Sequence, residues 1–153
     1  MKKSVAGVLV IAAILASVSS AAVLGQGSTE KSLYDRLGGK AAISAVVDEF
    51  VARVAADKRI NAYFGSTASD PARLMAFKGK LVDQICQASG GPCRYAGKDM
   101  KTAHMGMGIS GADFDALVQD LVGALDKFKV GQHEKEQLLG ALGPMKSDIV
   151  EKK

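Results

Sequence analysis

The chain has 153 residues and a formal charge of +4, with no tryptophan and three tyrosines. That length suits one domain with a core of its own. The weak positive balance, with no run of five like charges and little aromatic surface to stack on bases, excludes nucleic acid as an expected partner.

The first stretch, MKKSVAGVLVIAAILASVSSAAVLG, is not expected to belong to the fold. Lys2 and Lys3 precede an apolar or small run from Val5 to Ala16, and Ser-Val-Ser-Ser-Ala-Ala follows. This is the pattern of a secretory signal, with cleavage expected after Ala21 or Ala22. The alternative is an uncleaved membrane anchor, because Val5 to Leu24 approaches the roughly 20 residues that span a bilayer. Ser17, Ser19 and Ser20 interrupt that run and favour the signal. The expected organisation is therefore a signal over residues 1–22, a flexible leader over 23–31 and one domain over 32–150. The domain is expected to be exported, to the periplasm, with no stable membrane span once the signal is removed.

From there the apolar residues recur at helical spacing, and glycine and proline punctuate them. Ser32 with Asp35 three residues on predicts a capped short helix. Lys40 to Ala56 carries Ile43, Val46, Val47, Phe50, Val51 and Val54, a broad buried face. Asp70-Pro71 starts the next helix, a cap followed by proline in the first turn. Its apolar residues are Leu74, Phe77, Leu81, Val82 and Ile85, and Gly90-Gly91 ends it. Ser110 with Asp113 caps another, with Phe114, Leu117, Leu121, Leu125 and Phe128 on one face. The last runs from Gln132 to Val150, with a break expected at Gly143-Pro144. No segment alternates with a period of two, so the fold class is all-α, with about five or six helices. The segment from Arg94 to His104 stands apart as polar and weakly periodic, and a long irregular stretch in a compact domain is often functional.

His104 ends that segment, just before Gly106 and Gly108. It is either a stray polar residue at a helix end or a ligand around which the glycines turn the chain. A zinc site would ask for three or four ligands. His133 lies in a charged, solvated stretch, no second histidine accompanies Cys86 and Cys93, and no Cys-x-x-Cys-His attaches a haem covalently. A single-histidine site remains, and haem is the cofactor that takes one protein ligand from one side.

Three features then occur in order: Gly38-Gly39 after the first short helix, Gly90-Gly91 after the long one, and His104 followed by Gly106 and Gly108. With SLYDRLGGKAAISAVVDEFVARVAADKRINAYF and LMAFKGKLVDQICQASGGPCRYAGKDMKTAHMGMGIS around them, the chain from Ser32 to Val150 resembles a group 1 truncated haemoglobin. The resemblance implies a two-over-two helical sandwich holding one haem b, with His104 as the proximal iron ligand. It implies binding of dioxygen or another diatomic gas, carbon monoxide or nitric oxide, without a catalysed reaction. The alternatives are a haem redox enzyme, a nitric oxide dioxygenase or weak peroxidase drawing on an unknown reductant, and a helical interaction module with no cofactor.

The family commonly has a tyrosine after the phenylalanine of the second helix. Here Phe50 matches the phenylalanine and Val51 stands in the tyrosine's place. Leu81 stands where the family often has a glutamine, with Phe77 one turn earlier. The predicted distal wall is thus Val51, Phe77 and Leu81, with no hydrogen-bond donor, although Gln84 lies one turn further on and within inward reach. Lys80 has two readings: a propionate partner or solvent-exposed residue, and an amine that closes on the iron when no gas is bound. Lys78, Arg94, Tyr95 and Lys101 are further propionate candidates, or ordinary surface. Cys86 and Cys93 are close in sequence, and in an exported protein a disulfide persists. The pair is expected to be bonded, the alternative being two buried thiols.

Overall fold

The computed structural model describes residues 30–152, so the expected signal and nearly all of the leader lie outside the described residues. No described helix is long and apolar enough to cross a membrane. The described chain is helical, with a single isolated bridge between Ser110 and Lys152.

Short helix α1 (Leu33–Arg36) starts where expected: the Ser32 hydroxyl oxygen accepts from the Asp35 amide at 3.1 Å. Helix α2 (Gly39–Ala56) buries Ile43, Val46, Val47, Phe50 and Val54, a stripe at helical spacing. A 3-10 turn (Asn61–Phe64) and one-turn α3 (Gly65–Ala68) follow. Helix α4 (Pro71–Ala88) is capped by Asp70, whose carboxylate accepts from the Ala72 and Arg73 amides, and it buries Val82, Ile85 and Cys86. Then come α5 (Met100–His104), α6 (Gly111–Lys127) and α7 (Gln132–Leu142). Gly143–Met145 forms a 3-10 turn at the predicted break, and α8 (Lys146–Ile149) ends the helical chain.

Helix α2 is the centre of the packing, lying against α4 on one side and α6 on the other. Its stripe meets Val82, Ile85 and Cys86 of α4 and Ala116, Leu121, Ala124 and Leu125 of α6 in the main core. A second, smaller cluster joins Ile109, Phe114 and Ile149, with Tyr63, Met100, Val118, Met145 and Val150 packed on it. This cluster matters for function, because it seats α5 against α8. Ser110 and Asp113 form the predicted capping box at its edge, and Asp113 also accepts from the Tyr63 hydroxyl at 3.0 Å. The Ser110 hydroxyl, followed by its amide, holds the Asp113 carboxyl below its ordinary value.

Two expectations need correction. The segment from Arg94 to His104 is not irregular throughout. Asp99 caps a real helical turn over Met100–His104, with its carboxylate accepting from the Thr102 amide at 2.9 Å. Five residues are too few to show a period, but a cap and a turn suffice to make one. Phe128 does not join the buried face of α6; it is 45% exposed at the C-cap, where Lys129 turns left-handed with φ of 55°.

Cys86 and Cys93 are bonded, with 2.06 Å between the sulfurs, across the corner where α4 gives way to the histidine segment. Gly91 sits inside this corner. A Cβ there would lie 2.5 Å from Tyr34 Cδ2 and 2.7 Å from Cys86 Sγ, both closer than a real contact allows. Gly79, by contrast, lies in the interior of α4 with nothing within 4 Å of a Cβ. Gly91→Ala should therefore lower stability by about 1–3 kcal/mol through overpacking. Gly79→Ala should raise it by about 0.5–1 kcal/mol through helix propensity. Urea unfolding of the two variants should show these opposite signs.

Candidate functional site

His104 is the last residue of α5 and is half-buried. Its Nδ1 lies 2.7 Å from the Met100 carbonyl oxygen, one turn back. A carbonyl only accepts, so Nδ1 carries the proton and donates. The other nitrogen, Nε2, is then left with its lone pair, which is the state a metal requires of an imidazole. The ring is also fixed in direction by that bond. His133 is exposed on the first turn of α7. Among the described residues no group of three or more His, Cys, Asp or Glu is arranged to hold a bare metal ion.

Met100, on the same face of α5 as His104, lines a crevice of about 360 Å³ between α4, α5 and the turn after α7. Gln84, Gln87, Ala88, Tyr95, Asp99, Ala141 and Met145 complete its walls. The volume is in the range of small-molecule sites. The Gln84 amide Nε2 reaches across it to Met145 Sδ at 3.1 Å and Met100 Sδ at 3.5 Å. Thioether sulfur is a weak acceptor, so this half-buried amide is held only weakly.

A second cavity, of about 200 Å³, lies between α2, α3 and α4. Phe50, Val51 and Phe77 all line it, and Phe64 tilts over Phe77 with ring centroids 5.7 Å apart. Leu81 does not line this cavity; one turn beyond Phe77, it packs on the main core instead. Gln84 opens on the crevice and not on this cavity. The donors at the cavity are the Thr67 hydroxyl and Lys78, and Lys78 is paired with Asp48 at 2.8 Å.

Of the cationic candidates, Lys80 and Lys101 stand exposed on α4 and α5, and Arg94 is exposed on the intervening loop. Tyr95 is half-buried against the crevice. Its amide donates to Gln87 Oε1 at 2.8 Å and its hydroxyl to the Lys98 carbonyl at 2.9 Å. Burial raises the Tyr95 hydroxyl above its ordinary value, and Asp99 adds to the effect. Sequence reasoning missed Phe64, Thr67, Met100 and Met145. The first two lie in one-turn elements without a period, and the methionines read as ordinary core.

A family model described as bacterial-like globin matches residues 32–151. The group 1 truncated haemoglobin of Mycolicibacterium paratuberculosis is 36% identical over 118 residues, 77% of this chain and 83% of that protein. The fold is similar to the crystal structure of the truncated haemoglobin of Tetrahymena pyriformis in its Fe(III) form. The TM-score is 0.72 at 27% identity, covering 80% of this chain and 100% of that one. It is also similar to the 2/2 haemoglobin of Synechococcus sp. PCC 7002, in the cyanomet state with covalently attached haem. There the TM-score is 0.71 at 31% identity, covering 78% of this chain and 98% of that one. The chain thus has the 2-on-2 globin fold and belongs to the group 1 truncated haemoglobins, globins that bind haem.

Proposed function

We propose that this chain binds dioxygen or another diatomic gas, carbon monoxide or nitric oxide, at a single haem b iron held by His104, beside a largely apolar distal pocket. The observation that carries this reading is the His104 Nδ1–H bond to the Met100 carbonyl, which leaves Nε2 as the free lone pair. The residues present fit a haem. One imidazole with no second protein ligand suits a metal whose other ligands come from a macrocycle. The adjoining crevice offers Ala88, Met100, Ala141 and Met145 as apolar or polarisable walls. Lys80 and Lys101, exposed on the two helices that flank the crevice, suit the propionates, and Tyr95 lines the crevice itself. The reading of Lys80 as an iron ligand asks for a buried amine, and Lys80 is exposed.

When bound, haem supplies the iron that coordinates the gas. The chain's part is to orient His104, to keep water from the pocket and to set its polarity. Phe50, Val51, Phe64 and Phe77 make the cavity largely apolar, and the Thr67 hydroxyl is its one donor besides the Asp48-paired Lys78. The carboxylate and amine at that cavity, Asp48 and Lys78, are paired with each other, so neither is free as the acid or base a peroxidase would use.

His104→Ala should lose haem or show a weak, shifted Soret band, while His133→Ala should keep the wild-type spectrum. Absorbance after haem titration checks both, and normal spectra for both would remove His104 from the iron.

Val51→Tyr should place a hydroxyl donor in the cavity. A hydrogen bond to a strongly polar group is worth about 1.5–3 kcal/mol, and about 1.4 kcal/mol is tenfold. Dioxygen release should therefore slow by roughly one to two orders of magnitude, with carbon monoxide affected less. Gln84→Leu should change release little, because its amide is turned to the methionines of the crevice. Stopped-flow dissociation tests all three proteins; a slow wild type made fast by Gln84→Leu would show that a donor was there already.

We also propose export of a domain spanning residues 32–150 after cleavage of the signal. The Cys86–Cys93 bond supports this, since such bonds persist in oxidising compartments. Protein recovered from the periplasm should begin at Ala22 or Val23 by N-terminal sequencing and show no free thiol when denatured. An intact Met1 on the periplasmic protein would refute cleavage.

A further inference from the structure

The two glycines after His104 adopt conformations that side chains disfavour, with φ of 81° at Gly106 and 66° at Gly108. The His104 carbonyl accepts from the Met107 amide at 3.1 Å, so the chain reverses at once after the histidine. This turn aims the Gly106 and Gly108 amides the same way, and one carboxylate receives both. The Gly106 amide donates to Glu151 Oε1 at 2.7 Å, and the Gly108 amide to Glu151 Oε2 at 2.6 Å. Successive backbone amides in such a turn form a concave anion site, and here a side chain of the same polypeptide fills it. The segment after α8 is tied down in return: the Ile109 carbonyl accepts from the Glu151 amide at 2.9 Å and the Lys152 amide at 3.1 Å. The Gly106 amide first, then that of Gly108, holds the Glu151 carboxyl below its ordinary value.

Helix α5 is a single turn and is too short to fix its own direction. Its start is held by the Asp99 cap and by the packing of Met100, its first residue, in the second cluster. Its end, where His104 sits, has no packing of that kind: Met105 is 71% exposed and Met107 36%. The pair of bonds to Glu151 ties the turn at that end to the segment after α8. We infer that Glu151 is a positioning residue for the iron ligand, locking the turn after His104 so that the imidazole keeps one direction toward the haem. This inference rests on the reading of His104 as that ligand.

The test uses the haem-loaded full domain. In ferrous, ligand-free protein, the iron–histidine stretching band in the resonance Raman spectrum reads the orientation of the bond. Glu151→Ala should shift and broaden that band, and should speed haem loss to an acceptor apoglobin by about tenfold or more, as expected for two charge-assisted bonds. Glu151→Gln, which keeps the shape but has one carbonyl oxygen, should fall between, and it carries the test alone if Glu151→Ala does not fold. Ser32→Ala, which removes the cap of α1, should lower the melting temperature and leave the band in place. In His104→Gly supplied with free imidazole, the ligand is no longer tethered to the turn, and adding Glu151→Ala should leave the band unmoved. An unchanged band and haem-loss rate in both Glu151 variants would overturn the inference, as would an equal shift in Ser32→Ala. Absence of an iron–histidine band in the wild type would instead overturn the ligand assignment itself.

Discussion

The hydrogen bond from His104 Nδ1 to the Met100 carbonyl is the constraint on which the site depends. It sets the tautomer, it fixes the ring against its own helical turn, and it requires that turn to exist. Five residues of isolated helix would not persist in water. The rest of the fold supplies what the turn lacks: a cap at Asp99, a packed Met100, and α8 behind it. The second core cluster is small, yet it is the part of the core that seats the turn carrying His104. The larger cluster around α2 walls the cavity proposed to hold the gas. One long helix thus serves one side of the site, and several short elements converge on the other.

This division accounts for what could be read from the residues alone. Ser32, Asp70 and Ser110 announce helix starts through local chemistry, a short polar side chain satisfying amides two or three residues on. The stripes of α2 and α4 are long enough for a period to stand out. His104 stands out for a different reason, the scarcity of other ligands in the chain. Phe50, Val51 and Phe77 come together because residues one helix apart in sequence face each other across a packed pair.

The unread parts have physical reasons too. Phe64 and Thr67 lie where each helical turn ends almost as soon as it starts, so no window holds a pattern. Leu81 shares the spacing of Phe77, but a helix side that touches both a cavity and the core divides between them. Phe128 continues the stripe of α6 by one step, while the backbone has already turned away at Lys129. The bonds of Glu151 to Gly106 and Gly108 join residues 45 and 43 positions apart, and an acidic residue between Val150 and Lys152 reads simply as solvated.

The contact of the Gln84 amide with two thioethers has a consequence for the protein before it meets its cofactor. Methionine side chains have three soft torsions and a polarisable sulfur, so they close an irregular gap at little cost. The crevice is consequently spanned by a contact of low strength, an amide resting on Met145 and Met100. Parting it forfeits at most about one ordinary hydrogen bond, roughly 1 kcal/mol. A macrocycle entering there, as proposed, would find a contact that parts readily, with its apparent affinity lowered by less than about tenfold.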